Sequence, residues 1–275
     1  MRDAYLSSLR VVPTSYFVYS SISFYGPERD GEIPGTWFVR ALGELGRSAE
    51  AVRMELYRME RDGELTAKKA GRVKLYQPTA VARAEVDAGL RKIMGEPARK
   101  WNGRWTIVHF QFTSKQRVAR DRLRSLLQVE GFAPIGDGLY LHPRHPSAGL
   151  VAAVKSMKAE KQLTLFTGAE VARKDIRVFA AATWDLDAVS QRYTEFHSRF
   201  APLERKAKTL SAPHAFAARF AVVFDYLSAA WADPELPSEL LPPSWPGDKA
   251  RKLAQSLYRQ LLPEAIRHAH AIDNN

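Results

Sequence analysis

The first third of the chain contains apolar residues at helical spacing in consecutive segments. An uncharged run, VVPTSYFVYSSISFYGP (11–27), predicts a semi-buried first helix. Next, Phe38, Leu42 and Leu45 recur at helical spacing, which predicts a short second helix that Gly46 ends. The pattern therefore places two helices ahead of a more strongly charged segment.

A third helix is predicted in that charged segment, with a recognisable start, inner face and end. The Ser48 hydroxyl can accept a hydrogen bond from a first-turn N–H and so cap the helix. Val52, Leu56 and Met59 form its inward stripe, and Gly63 ends it. Its outer face combines small, basic and apolar residues: Ala51, Arg53, Met54, Tyr57, Arg58 and Arg61. Because acidic residues lie among them, this face alone is typical of a solvated helix.

A basic hairpin is predicted directly after the third helix. Two short strands, 65–69 and 72–77, are joined by a tight turn in which Gly71 can adopt positive φ. The hairpin concentrates positive charge: Lys68, Lys69, Arg72 and Lys74. Three helices followed by a basic hairpin are the layout of a winged helix-turn-helix. In that layout the third helix enters the DNA major groove and the hairpin lies along the phosphates.

The middle of the chain alternates between strand and helix patterns. After a linker helix at 79–95, we expect a strand, a helix capped by Ser114, two strands, a helix and a strand, at 105–112, 114–131, 132–135, 138–142, 147–158 and 163–166. The order β-α-β-β-α-β predicts a ferredoxin-like domain. RNA-binding modules and small nucleases share this fold. However, GLYLH (138–142) lacks the RNA-recognition aromatic signature, and Phe110-Gln111-Phe112 stands where a nuclease would need carboxylate ligands.

The last third is predicted to be helical. Its aromatic and aliphatic stripes have core spacing, and a connector with five prolines in fifteen residues (233–247) separates two of its helices. The fold class is therefore α+β. We expect a winged helix domain with its linker helix at 1–98, a ferredoxin-like domain at 99–180 and a helical domain at 181–275.

Charge points to a polyanionic partner. The 275-residue chain has a formal net charge of +11 and an isoelectric point near 9.8. Residues 1–100 carry a net +4, residues 101–180 a net +7 and residues 181–275 none. DNA, RNA, an acidic membrane and a phosphate-bearing ligand all fit this charge, which alone does not choose among them. The basic hairpin favours double-stranded DNA.

Other function classes are disfavoured. The chain has no cysteine, which excludes disulfides and thiolate catalysis and fits a reducing cytoplasm. The run 11–27 is too polar to span a membrane. Neither histidine pair, 142/145 or 268/270, has an acidic partner at zinc-site spacing, so we expect no metal site. Phosphate-binding glycine motifs and the nucleophile elbow G-x-S-x-G are absent, so no catalytic residue is predicted.

Four segments resemble the PaaX-type transcriptional repressors. They are GRSAEAVRMELYRMERDGEL with GRVKLYQPT, GRWTIVHFQF with RDRLRSLLQVEGFAPIGDGLYLHP, ATWDLDAVSQRYTEFHSRFAPL, and DPELPSELLPPSWPGDKA. The last, with the pattern DP-x-LP-x-x-LLP-x-x-W-x-G, is the most specific. The resemblance implies a cytoplasmic, homodimeric repressor of an aromatic-acid (phenylacetate-type) catabolic operon. It also implies that an aryl-CoA thioester such as phenylacetyl-CoA releases the operator and that the middle domain is Cas2-like without nuclease activity.

The third helix departs from the family pattern R-T-x-x-x-R-L-x-x-x-G-W-L. Arg53, Arg58 and Gly63 match it, but Met54 replaces the threonine, so the operator sequence can differ. The Asp225-Tyr226-Leu227 segment also departs from a common Tyr-Arg pair, so the effector can differ too.

The residues of the DNA site follow from the winged helix layout. We expect Arg53 and Tyr57 to lie near base edges, and six further residues to contact mainly phosphate: Ser48, Arg58, Arg61, Lys69, Arg72 and Lys74. No effector-binding residue is identified. The alternatives are a metal-dependent nuclease acting through the Cas2-like domain, and a CoA-thioester-binding protein whose winged helix contacts protein.

Overall fold

The computed structural model describes Leu9 and residues 11–96, 100–172 and 175–273. In this part of the chain, ten α-helices and two antiparallel sheets form an α+β protein. The helices are α1 Thr14–Tyr25, α2 Gly35–Glu44, α3 Ala49–Arg61, α4 Ala80–Met94, α5 Arg117–Val129, α6 Ala148–Ser156, α7 Ile176–Trp184, α8 Leu186–Glu204, α9 Ala212–Ala230 and α10 Gly247–Asp273. The strands are β1 Ile33–Pro34, β2 Leu65–Ala70, β3 Val73–Pro78, β4 Trp105–Phe110, β5 Ala133–Gly136, β6 Leu139–His142 and β7 Leu163–Ala169.

The chain forms two compact units that are not continuous in sequence. The first contains the chain up to Gly95, Arg192–Ala230 and the chain from Pro246 onward. The second contains Glu96–Gln191 and Trp231–Trp245. Helices α9 and α10 therefore belong to the same unit as the N-terminal helices. The division into three consecutive domains at 1–98, 99–180 and 181–275 remains a prediction from the sequence.

The N-terminal helices and the hairpin form as the local sequence predicts. Helix α2 ends before Gly46, which has φ +85°, and the turn between β2 and β3 contains Gly71 at φ +63°. The hairpin register runs from Leu65 opposite Pro78 to Ala70 opposite Val73. Strand β1, which was not predicted, pairs with β3 and completes a three-stranded sheet of order β1-β3-β2.

Aromatic packing joins the N-terminal helices to α9 and α10 within the first unit. Trp37 of α2 is 1% exposed, stacks on Tyr25 at 4.7 Å and donates its indole N–H to the Ala269 carbonyl oxygen at 2.9 Å. Phe24 of α1 meets Phe216 and Phe220 of α9 edge to face at 6.0 and 5.7 Å. The predicted core role of the aromatic stripe on α9 is therefore confirmed.

A buried cation lies inside this aromatic cluster. The Arg219 guanidinium lies 3.8 Å from the ring centroid of Tyr258 and 5.2 Å from that of Phe24. It donates to the Tyr258 carbonyl oxygen at 2.6 Å. Burial lowers the pKa of Arg219, and cation–π contacts with the two rings offset part of the desolvation cost of its charge.

The second unit contains the predicted order β4-α5-β5-β6-α6-β7, in a sheet of order β5-β6-β4-β7. One face of the sheet packs Val108 and Phe110 against Leu123 and Leu127 of α5. On the other face, Trp105 packs against α7 and the Pro-rich connector.

One predicted cap in this unit was wrong. Thr113, rather than Ser114, caps the segment through a reciprocal capping box with Gln116, and Ser114–Gln116 forms a 3-10 turn before α5. The reason is that Thr113 has the extended backbone of a cap and a glutamine three residues later, whereas Ser114 is already inside the turn.

We expect Trp37→Ala to lower the free energy of unfolding by about 3 to 5 kcal/mol, because the substitution leaves a cavity and removes the hydrogen bond to Ala269. Urea denaturation measures this loss. Val81→Ala is the control: Val81 is exposed in the same unit, so its free energy of unfolding should change by no more than about 0.5 kcal/mol. A loss below about 1 kcal/mol for Trp37→Ala would contradict the role assigned to Trp37.

His142 at the end of β6 provides a pH test of the second unit. Burial, with a smaller effect of nearby Arg144, lowers the pKa of His142 to about 4. The unfolded chain therefore binds a proton between about pH 6.5 and 4 that the folded protein does not bind. This contribution to stability is fully present above about pH 7 and is lost as the pH falls through that window, by up to about 3 kcal/mol.

His142→Leu should therefore show a flatter dependence of unfolding free energy on pH between 6.5 and 4.5 than the unsubstituted protein. Urea denaturation at several pH values measures both slopes. His145→Leu, at an exposed position three residues away, is the matched control. Equal slopes for His142→Leu and the unsubstituted protein would contradict the assignment.

Candidate nucleic-acid interface

Helix α3 has the cap and the two faces that its sequence predicts. The Ser48 hydroxyl oxygen accepts a hydrogen bond from the Ala51 N–H at 3.1 Å, and Glu50 adds negative charge to the first turn. Val52, Leu56 and Met59 are buried. The inward stripe fixes which residues face outward, so the exposed face of α3 has a defined composition.

The centre of this exposed face combines two apolar side chains with one arginine. Successive residues of an α-helix are rotated by about 100°, so Met54, Tyr57 and Arg61 lie nearly opposite the buried stripe. The side chains of Met54 and Tyr57 are 60% and 59% exposed. Arg53 lies on the flank that faces the hairpin, and Arg58 lies on the opposite flank.

Arg58 is held by acidic side chains of its own segment. Its guanidinium nitrogens lie 2.7 Å from Glu55 Oε1, 3.0 Å from Asp62 Oδ2 and 3.4 Å from Glu64 Oε1. The hydrogen bond to Glu55 is the main cause that raises the pKa of Arg58, despite partial desolvation. The expected phosphate contact of Arg58 stays a prediction, and its charge is compensated locally.

Two more of the predicted phosphate-contacting residues have acidic partners. Arg61 Nε donates to Asp62 Oδ1 at 2.9 Å, and this hydrogen bond raises the pKa of Arg61. Lys74 Nζ donates to Glu60 Oε2 at 2.6 Å, which is the main cause of its raised pKa. The second contact joins strand β3 to α3, so the hairpin and the helix hold each other in place.

A basic groove lies between α2, α3 and the hairpin. It has a volume of about 410 Å³, and its lining includes four cationic side chains, namely Arg40, Arg53, Arg72 and Lys74. Among the residues that the structure describes, neither Arg53 nor Arg72 forms an ion pair. These two guanidinium groups, with the exposed Lys69 on β2, are therefore available to an external anion.

The groove also explains why position 35 is a glycine, and it contains one cation, Arg40, that the sequence did not identify as part of the site. A Cβ on Gly35, the first residue of α2, would lie 3.0 Å from the Tyr76 ring, so the glycine permits the close approach of β3. Arg40 follows on the same helix and joins the groove because the hairpin folds back against α2. Arg40 is far from the hairpin cations in the sequence, so the sequence does not show that it lies near them in the fold.

The end of β4 is the place where a metal-dependent nuclease of this topology would need carboxylates. The strand ends at buried Phe110, and exposed Gln111 follows. In the described ranges, no cluster of three or more His, Cys, Asp or Glu side chains could hold a metal ion. Over the same ranges, no helix has the length and apolar character needed to cross a membrane.

Comparison with known proteins places these features in a family. Three family descriptions match consecutive segments: PaaX-like protein at residues 18–81, PaaX protein central Cas2-like domain at 98–179, and PaaX-like protein C-terminal domain at 184–271. The chain belongs to the PaaX family. The resemblance inferred from its sequence motifs is thereby confirmed, and the second unit contains a Cas2-like domain.

Two individual proteins are similar to this PaaX family member. Transcriptional repressor PaaX from Escherichia coli (strain K12) is 26% identical over 261 residues, which cover 89% of this chain and 80% of that protein. The solved structure of an uncharacterized protein from Mycobacterium tuberculosis has a TM-score of 0.55 at 19% identity. The match covers 86% of this chain and 90% of that one. The second likeness concerns the fold alone.

The most specific PaaX motif, DPELPSELLPPSWPG, has a structural role in the second unit. The Asp233 carboxylate accepts a hydrogen bond from the Glu235 N–H at 2.7 Å. Leu236 and Leu240 are buried in the core that contains Trp105, and Trp245 packs against it. The apolar residues of the motif thus fill one face of the Cas2-like sheet.

We expect Arg72→Ala and Lys74→Ala to weaken binding to all DNA sequences, because phosphate contacts carry no sequence information. Each lost contact should flatten the plot of log K against log salt by about one unit. The flattening should be larger for Arg72, whose guanidinium has no described carboxylate partner. Fluorescence anisotropy with an unrelated duplex, at several salt concentrations, measures both quantities.

Lys208→Ala, an exposed lysine outside the groove, is the matched control and should keep the original affinity and slope. Glu60→Gln should bind more tightly and with a steeper salt slope, because it releases Lys74 from its carboxylate partner. Original affinity and slope in both Arg72→Ala and Lys74→Ala would show that the hairpin does not contact phosphate.

Proposed function

We propose that this PaaX family protein is a DNA-binding transcriptional repressor. Helices α1–α3 with the hairpin β2–β3 would form its winged helix-turn-helix. The observation that carries the proposal is the groove beside α3, where Arg53 and Arg72 have no described carboxylate partner. The relative from Escherichia coli is named a transcriptional repressor, which supports a regulator rather than an enzyme.

In this proposal, α3 is the recognition helix and enters the major groove with its N-terminal half nearest the bases. Arg53 and Tyr57 contact base edges. The phosphate contacts come from six residues: Ser48, Arg58, Arg61, Lys69, Arg72 and Lys74. Carboxylates already engage Arg58, Arg61 and Lys74, so these three must exchange or share their partners on binding. Lys69 and Arg72 are the stronger candidates for phosphate contact.

The protein acts in the cytoplasm as a homodimer on a double-stranded operator. Two recognition helices related by a two-fold axis would read two half-sites about 34 to 36 Å apart or a multiple of that spacing. The regulated genes form an aromatic-acid catabolic operon of the phenylacetate type, and an aryl-CoA thioester releases the repressor. The resemblance to PaaX-type repressors and the net charge of +7 in residues 101–180 support an anionic CoA effector.

The test uses the full-length protein and duplex fragments from the genomic neighbourhood of its own gene. At about 50 mM salt, one fragment should be retained in a mobility-shift assay, and affinity should fall steeply as salt increases. Phenylacetyl-CoA should release that fragment, whereas phenylacetic acid and free CoA should not. Calorimetric titration with the same three compounds measures whether only the thioester binds.

Each failure has a different meaning. If no fragment is retained but the thioester binds, the protein is a CoA-thioester-binding protein whose winged helix contacts protein instead of DNA. If a fragment is retained and the thioester neither binds nor releases it, DNA binding stands and the effector is wrong. Cleavage of the fragment in the presence of Mg²⁺ or Mn²⁺ would indicate the nuclease alternative.

A further inference from the structure

Two large apolar side chains are exposed together at the centre of the outer face of α3. Met54 and Tyr57 are three residues apart, so they lie on the same side of the helix, and each exposes more than half of its surface. Single exposed apolar residues are common on protein surfaces. A pair of exposed apolar residues at the middle of a face that is flanked by basic residues is less common and indicates a binding surface.

The chemistry of this face limits how it can read bases. Carboxylates already engage Arg58 and Arg61. Arg53 is the guanidinium on α3 that has no carboxylate partner among the described residues. Met54 presents only apolar surface, and Tyr57 presents an aromatic ring with one hydroxyl. The middle of α3 therefore offers few hydrogen-bond donors and two exposed apolar side chains on one side of the helix.

Among the four bases, thymine alone presents a methyl group to the major groove, at C5. Apolar side chains read thymine through contact with this methyl group. On the hairpin side of the pair, Arg53 and Arg72 have no carboxylate partner among the described residues, and with the exposed Lys69 they supply positive charge that complements DNA phosphates. Charge and surface chemistry thus favour one binding partner for Met54 and Tyr57, a DNA major groove that contains thymine.

We propose that Met54 and the ring of Tyr57 contact thymine methyl groups and make thymine the preferred base opposite the middle of α3. This inference rests on the proposed function, because it assumes that α3 enters the major groove. Residues three apart are separated by about 4.5 Å along a helix axis, and neighbouring base pairs are about 3.4 Å apart. These two spacings are similar, so the two side chains can contact methyl groups on neighbouring base pairs.

The experiment begins with duplexes selected by the full-length protein from a random-sequence library. In the best-bound duplex, each thymidine is replaced in turn by deoxyuridine, which removes only the C5-methyl group. The unsubstituted protein should bind about fourfold more weakly for each contacted methyl that is removed, the effect expected for one buried methylene-sized group. Replacements elsewhere in the duplex should have no effect.

Protein variants assign each methyl to a side chain. Met54→Ala should bind the thymidine and deoxyuridine duplexes equally at one position, and Tyr57→Ala should do so at a neighbouring position. Tyr57→Phe keeps the ring and should keep the effect of the methyl. Val118→Ala, at an exposed apolar residue of the second unit, is the matched control and should leave every ratio unchanged. These ratios compare two duplexes with one protein, so a general loss of affinity does not alter them.

Two results would overturn the inference while the proposed function stands. One is salt-dependent, sequence-selective binding in which no thymidine-to-deoxyuridine replacement weakens affinity. The other is a methyl effect that persists unchanged in both Met54→Ala and Tyr57→Ala. If the protein instead selects no duplex at all and shows no salt-dependent binding, the proposed function itself fails.

Discussion

The burial of Trp37 against the last helix is the interaction on which the position of α3 depends. Trp37 is fixed on one side by the stack on Tyr25 and on the other by its hydrogen bond to Ala269. Helix α2 carries Trp37 and packs against α3, and Gly35 at its start lets the hairpin approach. The orientation of the exposed face of α3 therefore depends on a residue more than two hundred positions away in the sequence.

The ion pairs around α3 determine shape more than net attraction. Glu60 holds Lys74, and Glu55, Asp62 and Glu64 hold Arg58. Such partly exposed pairs contribute little stability individually. Where a cation keeps its carboxylate and shares its remaining donors with a phosphate, the ordering of its long side chain lowers the conformational entropy lost on binding. The exposed face of α3 thus presents Arg53, which has no carboxylate partner among the described residues, beside the apolar Met54 and Tyr57.

Features with local determinants were predictable from the sequence, and long-range features were not. The Ser48 cap and the Gly71 turn follow from a few neighbouring residues, and the structure contains both. The pairing of β1 with Leu75 and Tyr76 was missed because a two-residue strand has no periodicity. The groove was only partly predicted: Arg72 and Lys74 were identified from the hairpin, whereas Arg40 joins them only after folding. The ion pairs of Arg58 require side-chain conformations that residue spacing does not specify.

The contact between Trp37 and Ala269 also determines when the first unit can complete its fold during translation. A ribosome releases α1–α3 and the hairpin early, but Ala269, in the helix that covers Trp37, follows 232 residues after Trp37. Until that helix emerges, Trp37 on α2 is not fully covered, so the nascent chain carries an exposed apolar surface that a chaperone can bind. The first unit is therefore incomplete throughout most of translation. Its fold is complete only after α10 has been synthesised.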